Sequence, residues 1–280
     1  MKENKEIKAL LHLIDDPDED VYNTVSNKII SFGKDIIPNL EHLWESVSNE
    51  DTQERIELLI HRLHLRDLTD EFTAWKESGA NLLEGAILVS KYHYPDMQPA
   101  QTRQEIEKLR RNMWLELNNY LTPIEKINVL NSIFYNYFKQ KGVEISYESP
   151  DPFLINKTLE TKKGNPISLC CIYMIIAQQL NMPVYGVNLP NLFVLTYKKD
   201  AVQFYINVFN KGLVFMRSDI DHYIAQLNLK PNETFYQPCS NLDILKRVLR
   251  NLTLAFEKTG DADKVKEIER MAAILSDPLG

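Results

Sequence analysis

A serine and two adjacent cysteines follow a helix-start signal near the middle of the chain. Segment 163–171 reads KGNPISLCC. Asn165 is a favoured N-cap residue and Pro166 suits the first helical position, so the segment predicts a helix beginning there. Ser168 then lies in the first turn, where free backbone N–H groups and the helix dipole favour negative charge. A cysteine at this place becomes a nucleophilic thiolate, whereas a serine hydroxyl stays protonated unless a base adjoins it.

Cys170 and Cys171 are fallback nucleophiles on the same predicted helix. Their side chains point about 100° apart, and no histidine lies near them in sequence. The alternative interpretation is two small buried apolar side chains, which is the usual state of a free cysteine. His222, which follows acidic residues in segment 219–227, offers a substitute base, and a surface histidine is the better interpretation.

Two clusters of polar residues have some features of metal sites. Glu57, His61 and His64 share one helix face at positions i, i+4 and i+7, a spacing that metal ligands can use. Charged residues on a solvated helix explain this set more simply, because no further ligand pair completes it. Segment 16–20, DPDED, resembles a calcium loop, but Val21 stands where such a loop requires glycine. We therefore predict no metal ion and no other cofactor.

The first half of the chain is predicted to be helical. Hydrophobic residues recur with a helical period in segments 18–32, 36–47 and 52–65. Helices of this length joined by short acidic turns indicate HEAT-like repeats. Further helices are predicted over residues 82–92, 102–117, 123–138 and 152–162.

The pattern changes in the second half of the chain. Four short β-rich runs predict a small antiparallel meander over residues 184–187, 193–197, 202–206 and 213–215. The turn between two of these strands is expected at residues 198–200. Two helices follow, over 241–259 and from Asp261 to about Ser276, and resemble a tetratricopeptide-like hairpin. A lone hairpin cannot bury its own apolar face, so it is expected to pack on the core or on a partner.

Three motifs resemble those of the bacterial SirB-type transglutaminase-like family. They are GNPISL at 164–169, GVNLP at 186–190 and LEGAIL at 83–88. The resemblance covers about residues 82–212. It implies an α+β fold with a papain-like transglutaminase core and a small antiparallel sheet.

The predicted domain organisation has three parts. A HEAT-like helical region over residues 1–78 precedes the transglutaminase-like core over residues 79–230. A tetratricopeptide-like helical hairpin over residues 231–280 follows the core. The two flanking regions resemble the accessory modules of the same family.

The resemblance also implies a catalytic triad, and this chain departs from it at each position. The cysteine position falls at or next to Ser168. The family's Pro-Gly-His-Phe becomes Pro-Asn-Leu-Phe, which places Leu192 where histidine is expected, and Asn207 stands at the aspartate position. Leu192 cannot accept a proton and Asn207 cannot hold an imidazolium by charge. We therefore predict that thiol catalysis of the family type is lost.

Composition limits the functions and locations that are expected for the chain. A net charge of −7 without a basic, aromatic-rich cluster argues against nucleic-acid binding. The longest apolar run, at 167–177, is too short to span a membrane, and no signal-peptide pattern opens the sequence. Three cysteines form a poor disulfide framework, which favours a reducing cytoplasm.

These observations predict a non-catalytic protein that acts as a protein-binding or scaffolding module for an unidentified partner. Candidate residues of the binding cleft are Asn165, Ser168, Asn191 and Asn207. The competing prediction is a hydrolase or acyl-transferase that uses Ser168, Cys170 or Cys171 with an unrecognised base.

Overall fold

A computed structural model gives the structure, which describes residues 2–144 and 146–276, with side chains from residue 5 onward. The chain folds as two compact units, Met1–Thr73 and Ala74–Gly280. Helices predominate, and the strands of the described residues form two small sheets. This architecture agrees with the predicted α+β class. The finer boundary between residues 230 and 231 stays a prediction.

The N-terminal unit is helical. Its helices are α1 (Lys2–Leu11), α2 (Glu19–Ser31), α3 (Ile37–Ser46) and most of α4 (Glu50–Glu77). Its core is formed by apolar residues of the predicted stripes, among them Val25, Ile29, Ile56 and Leu59. The acidic segment before α2 caps that helix, because the Asp18 side chain accepts a hydrogen bond from the backbone N–H of Asp20 over 2.9 Å.

Helix α4 is longer than the sequence pattern predicts. It spans 28 residues, so the predicted end at residue 65 is wrong. Leu68, Phe72 and Trp75 are buried and continue the apolar spacing beyond that point. The charged residues between them are compatible with a helix that is buried on one side.

The second unit contains the remaining helices. They are α5 (Leu82–His93), α6 (Pro99–Glu116), α7 (Pro123–Asn131), α8 (Ile155–Thr161), α9 (Pro166–Gln179), α10 (Arg217–Gln226), α11 (Asn241–Thr259) and α12 (Ala262–Ser276). The predicted helix over 123–138 ends in a π-helical turn at Ser132–Tyr137. The predicted end of α11 is confirmed, since Gly260 closes it in the left-handed conformation with φ of 80°.

The predicted antiparallel meander is confirmed. Its strands, in the order in which they pair, are β3 (Val184–Leu189), β4 (Leu192–Lys199), β5 (Val202–Asn207) and β6 (Leu213–Phe215). Lys199 pairs with Val202, so the turn is at residues 200–201 and is shorter than predicted. A second sheet joins β1 (Lys141–Gly142) to β2 (Lys163–Gly164) in parallel, and the sequence pattern does not reveal it.

Helix α9 is the central helix of this unit. It packs against β3 and β4, and every residue from Ile167 to Ala177 is buried. Its apolar residues therefore surround the whole helix instead of forming one stripe. No helix among the described residues combines the length and apolar character needed to cross a lipid bilayer.

Helix α11 packs closely on α5. A Cβ atom added to Gly85 of α5 would lie 2.4 Å from Leu245 Cδ1 and 2.4 Å from Trp75 Cζ2. Glycine is thus required where the two helices meet. The helix that the sequence assigns to a C-terminal hairpin consequently forms part of the second unit's core.

Candidate functional site

The start of α9 is built as the sequence predicts. Asn165 has an extended backbone, and its Oδ1 accepts a hydrogen bond from the backbone N–H of Ser168 over 2.8 Å. Pro166 occupies the first helical turn. These two residues confirm the predicted N-cap and fix Ser168 in the first turn of the helix.

The hydroxyl of Ser168 is hydrogen-bonded to backbone carbonyl groups. Ser168 is only 2% exposed, and its Oγ donates to the carbonyl of Pro152 over 2.7 Å, with the carbonyl of Asn165 at 3.3 Å. Among residues 5–144 and 146–276, no imidazole or carboxylate hydrogen-bonds to this hydroxyl. The local geometry therefore gives Ser168 a structural partner and no base.

Leu192 packs in an apolar cluster, and Asn207 is hydrogen-bonded within a local turn. Leu192 packs against an apolar cluster that contains Val187, Val194 and Ile220. Asn207 Oδ1 accepts a hydrogen bond from the backbone N–H of Asn210 over 3.0 Å, which closes a local turn. Neither side chain is hydrogen-bonded to Ser168 in the described part of the chain.

Cys170 and Cys171 lie in the protein interior, with 0% and 3% of their surface exposed. The Sγ atom of Cys170 contacts the carbonyl oxygen of Phe193 at 3.7 Å. Burial raises the pKa of Cys170 well above its usual range, and burial together with nearby Cys239 raises the pKa of Cys171 to about 12. His222 is exposed on α10 and has no hydrogen bond to either thiol.

The acidic residues of the possible metal sites have other partners. Glu57 accepts a hydrogen bond from Trp44 Nε1 over 2.9 Å, and Asp16 Oδ1 accepts one from the backbone N–H of Asp18. Among the described residues, no group of three or more histidine, cysteine, aspartate or glutamate side chains is arranged to hold a metal ion.

An open groove of about 700 Å³ lies where the start of α9, the β3–β4 hairpin and α11 meet. We call it the α9–α11 groove. Asn165 and Ile167 line it from α9, Asn191 and Phe193 line it from the hairpin, and Arg247 lines it from α11. Of the four predicted cleft residues, Asn165 and Asn191 are brought together here, whereas Ser168 and Asn207 do not line the groove.

Three cations of α11 face this groove: Lys246, Arg247 and Arg250. Arg247 is partly buried and donates to Asn188 Oδ1 and to the carbonyl of Leu189, the latter over 2.9 Å. Its guanidinium also lies 5.7 Å from the centre of the Phe193 ring. Burial lowers the pKa of Arg247, although an arginine stays charged at neutral pH.

These cations are not among the site residues that the sequence pattern predicts. Lys246 and Arg250 are four residues apart and so lie on one face of α11. That spacing is visible in the segment LKRVLR at 245–250. It was assigned to a separate hairpin, and only the packing of α11 in the second unit places it beside α9.

The opposite wall offers unpaired hydrogen-bond donors. The backbone N–H of Ile167 has no acceptor among the described residues, as expected at the first turn of a helix. Asn165 uses Oδ1 for the cap, and its Nδ2 makes no hydrogen bond in the same part of the chain. The two walls together favour negatively charged groups in the groove.

Comparison with known proteins shows which family model the sequence matches. A model of the transglutaminase-like superfamily matches residues 100–250, which is more than half of the chain. A UPF0162 protein of Xylella fastidiosa (strain 9a5c) is 26% identical over 202 residues, covering 65% of this chain and 67% of that protein. UPF0162 protein YchA of Escherichia coli (strain K12) is 25% identical over 178 residues, covering 62% and 65%.

A eukaryotic protein is also similar. F-box only protein 21 of Mus musculus is 25% identical over 142 residues, covering 48% of this chain and 22% of that protein. No solved structure matches the chain.

Proposed function

Because the chain belongs to the transglutaminase-like superfamily, we propose that it has kept the family frame, has lost thiol chemistry, and binds another protein through the α9–α11 groove. The observation that carries this proposal is the state of the Ser168 hydroxyl. It is buried, it donates to Pro152, and no base adjoins it among the described residues.

Catalysis by Ser168 requires two conditions that this environment does not favour. A nucleophilic hydroxyl needs a base within hydrogen-bond reach and an approach path for the substrate. Here the oxygen at the start of α9 is directed toward the Pro152 carbonyl and does not face the groove. Leu192 cannot replace the missing base, since its side chain packs in an apolar cluster.

The thiols are equally unsuited to nucleophilic attack. The thiolate is the reactive form of cysteine, and burial keeps Cys170 and Cys171 protonated at neutral pH. No described carboxylate or imidazole hydrogen-bonds to either sulfur. The competing hydrolase or acyl-transferase function therefore lacks an activated nucleophile.

The groove supports binding for a separate reason. Its volume of about 700 Å³ falls in the range of about 300–1,000 Å³ that is typical of ligand sites. Phe193, Phe235 and Leu254 contribute apolar surface between polar and charged groups. A mixture of aromatic anchors and fixed polar groups is typical of surfaces that recognise peptides or small ligands.

Finer assignments belong to the same proposal. We assign the chain to the SirB-type branch of the superfamily on the motifs at 164–169, 186–190 and 83–88. The helices of the N-terminal unit would be HEAT-like and the α11–α12 pair tetratricopeptide-like, each serving protein contact. The three free cysteines support a reducing cytoplasmic location.

Site-specific photo-crosslinking tests the binding function. Leu254 is 37% exposed and lines the groove, whereas Leu229 is 45% exposed and lies outside it. p-Benzoylphenylalanine placed at Leu254 in the native host is expected to form a discrete adduct with one protein, which then binds the purified chain. The same group at Leu229 serves as the matched control. Absence of an adduct specific to the Leu254 position would reject the groove as a protein-binding site.

Thiol labelling tests the loss of chemistry. Iodoacetamide is expected to modify Cys170 and Cys171 only after denaturation, as followed by peptide mass spectrometry at pH 7.5. Rapid modification of either residue in the folded protein, with the other left unmodified, would identify an activated thiol and favour the competing enzyme.

A further inference from the structure

The geometry points to an acidic peptide segment of the partner as the ligand of the α9–α11 groove. We propose that its carboxylates lie against Lys246 and Arg250 and against the start of α9. This inference rests on the proposed function and adds the chemistry of the partner.

The charge of the groove is opposite to that of the whole chain. The protein has a net charge of −7, yet three cations line the groove. Among residues 5–144 and 146–276, no carboxylate forms an ion pair with Lys246, Arg247 or Arg250. Asp243 also lines the groove, but its Oδ2 already accepts hydrogen bonds from the backbone N–H and the hydroxyl of Ser240. Asp243 keeps its negative charge, so the three cations leave the side chains that line the groove with a net charge of +2 (three positive, one negative).

The start of α9 strengthens the preference for an anion. Helix α9 has 14 residues, so its N-terminus carries the partial positive charge of a full helix dipole. The N–H of Ile167 and the Nδ2 of Asn165 lack acceptors in the described chain, and Asn165 is 1% exposed. A carboxylate of the ligand would satisfy these donors.

The size of the groove and the spacing of its cations favour a peptide over a single small ion. A single carboxylate or phosphate fills only a small part of about 700 Å³. Lys246 and Arg250 are separated by about 6 Å along the axis of α11. In an extended peptide, side chains two residues apart lie on the same side at roughly 6.5 Å. Acidic residues at alternate positions therefore match this pair of cations.

The apolar part of the groove gives the rest of the peptide a contact surface. Phe235 is half-buried and Leu254 is exposed at the groove. Arg247 is already bound to Asn188 and Leu189, so it shapes the wall between the apolar and cationic parts. A peptide that alternates acidic with apolar residues would contact both the cationic and the apolar parts of the groove.

Fluorescence anisotropy with a labelled hexaglutamate peptide tests the inference, and hexaglutamine of the same length is the reference peptide. The full chain is expected to bind hexaglutamate but not hexaglutamine, and salt is expected to weaken the binding. The variant K246E/R250E should bind hexaglutamate at least about tenfold more weakly, because like charges then face each other. Arg247 is left unchanged, since its loss would disturb the contact with β3.

The control variant is K199E/K230E. It makes the same change in net charge at two exposed lysines outside the groove. Hexaglutamate affinity is expected to change by about twofold or less, because these charges do not line the groove and salt screens them. Matching circular dichroism spectra and melting temperatures establish that both variants are folded. Equal weakening in both variants, or equal binding of the two peptides, would overturn the inference. Tighter binding of a hexathymidylate oligonucleotide would also overturn it and assign the groove to nucleic acid.

The two proposals fail separately. A protein adduct formed specifically at Leu254, together with failure of hexaglutamate to bind, rejects the acidic ligand and keeps the binding function. Hexaglutamate binding that K246E/R250E abolishes, without any adduct at Leu254, supports the anionic chemistry and rejects the protein partner.

Discussion

Replacement of Ser168 by alanine separates a structural hydroxyl from a catalytic one. We expect Ser168→Ala to destabilise the second unit, because the hydroxyl donates to Pro152 in the protein interior. A catalytic group shows the opposite tendency, since active sites often keep residues at the expense of stability. The substitution therefore gives different results under the two interpretations.

The expected loss of stability in Ser168→Ala follows from the two acceptors of the Ser168 hydroxyl and from the hydrogen bonds that these acceptors keep after the substitution. A neutral hydrogen bond contributes about 0.5–1.5 kcal/mol net, and the 2.7 Å bond to the Pro152 carbonyl is the shorter of the two. That carbonyl also accepts the backbone N–H of Asn165 over 3.1 Å, so it is not left unsatisfied. The expected loss in the free energy of unfolding is consequently about 1 kcal/mol.

Ser90 supplies a matched control. It is 0% exposed and, like Ser168, lies in the second unit. Its hydroxyl has no hydrogen-bond partner among the residues that the structure describes. Ser90→Ala removes a buried polar group that nothing satisfies, so it is expected to leave stability unchanged or to raise it by up to about 1 kcal/mol. The two substitutions remove the same atom, and only Ser168→Ala is expected to lower stability.

Urea unfolding in a Trp44→Phe background measures the stability of the Ser168→Ala and Ser90→Ala proteins. The remaining tryptophans, Trp75 and Trp114, belong to the second unit, so their fluorescence follows the unfolding of that unit alone. An unchanged slope of free energy against urea would show that the denatured state is unaffected. A Ser168→Ala protein as stable as the parent, or more stable, would contradict the structural interpretation of this hydroxyl.

Three further predictions concern stability and pH. Burial, with a smaller contribution from a nearby lysine, lowers the pKa of His93 from 6.5. The unfolded chain therefore binds a proton at this histidine at a higher pH than the folded chain does. The free energy of unfolding should decrease as pH falls below about 6.5. His93→Gln should reduce this pH dependence, as measured by urea unfolding between pH 7.5 and 5. An unchanged dependence in His93→Gln would refute the assignment. Arg247→Met should lower the free energy of unfolding by about 2 kcal/mol through its lost hydrogen bonds, whereas the exposed Arg250→Met should lower it by about 0.5 kcal/mol or less. Equal losses in thermal unfolding would contradict a stabilising role for the hydrogen bonds between Arg247 and β3. Asn165→Ala should cost about 1 kcal/mol through the lost N-cap, with Asn165→Asp retaining most of the stability, and hydrogen exchange at the start of α9 would detect it.

Local signals in the sequence are sufficient for the elements that carry their own start and stop residues. Asn165 and Pro166 fix the start of α9, and Gly260 fixes the end of α11. The meander is also predictable, because each strand is bounded by turn residues. The extension of α4 to Glu77 was missed although Leu68 and Phe72 continue its apolar spacing, so a signal was present there.

Other features depend on tertiary packing and leave no local signal. The parallel pair Lys141–Gly142 and Lys163–Gly164 is too short for periodicity to reveal. The partner of the Ser168 hydroxyl lies sixteen residues upstream at Pro152, and no pattern specifies which carbonyl a serine reaches. The groove combines α9 with α11, whose cation Lys246 lies 80 positions from Pro166 in the chain.

The two proposals, loss of thiol chemistry and an anion-binding groove, rest on the same feature of α9. In a thiol enzyme the positive end of such a helix acts on a cysteine and stabilises its thiolate. Here the first-turn hydroxyl of Ser168 is uncharged and turned toward Pro152, so this position supplies no negative charge to the helix dipole. The N–H of Ile167, which has no acceptor in the described part of the chain, and the cations of α11 would then act on a ligand in the groove. Under the two proposals, the groove prefers an anionic ligand because the first turn of α9 holds no anion of its own, which is why both depend on how Ser168 is bonded.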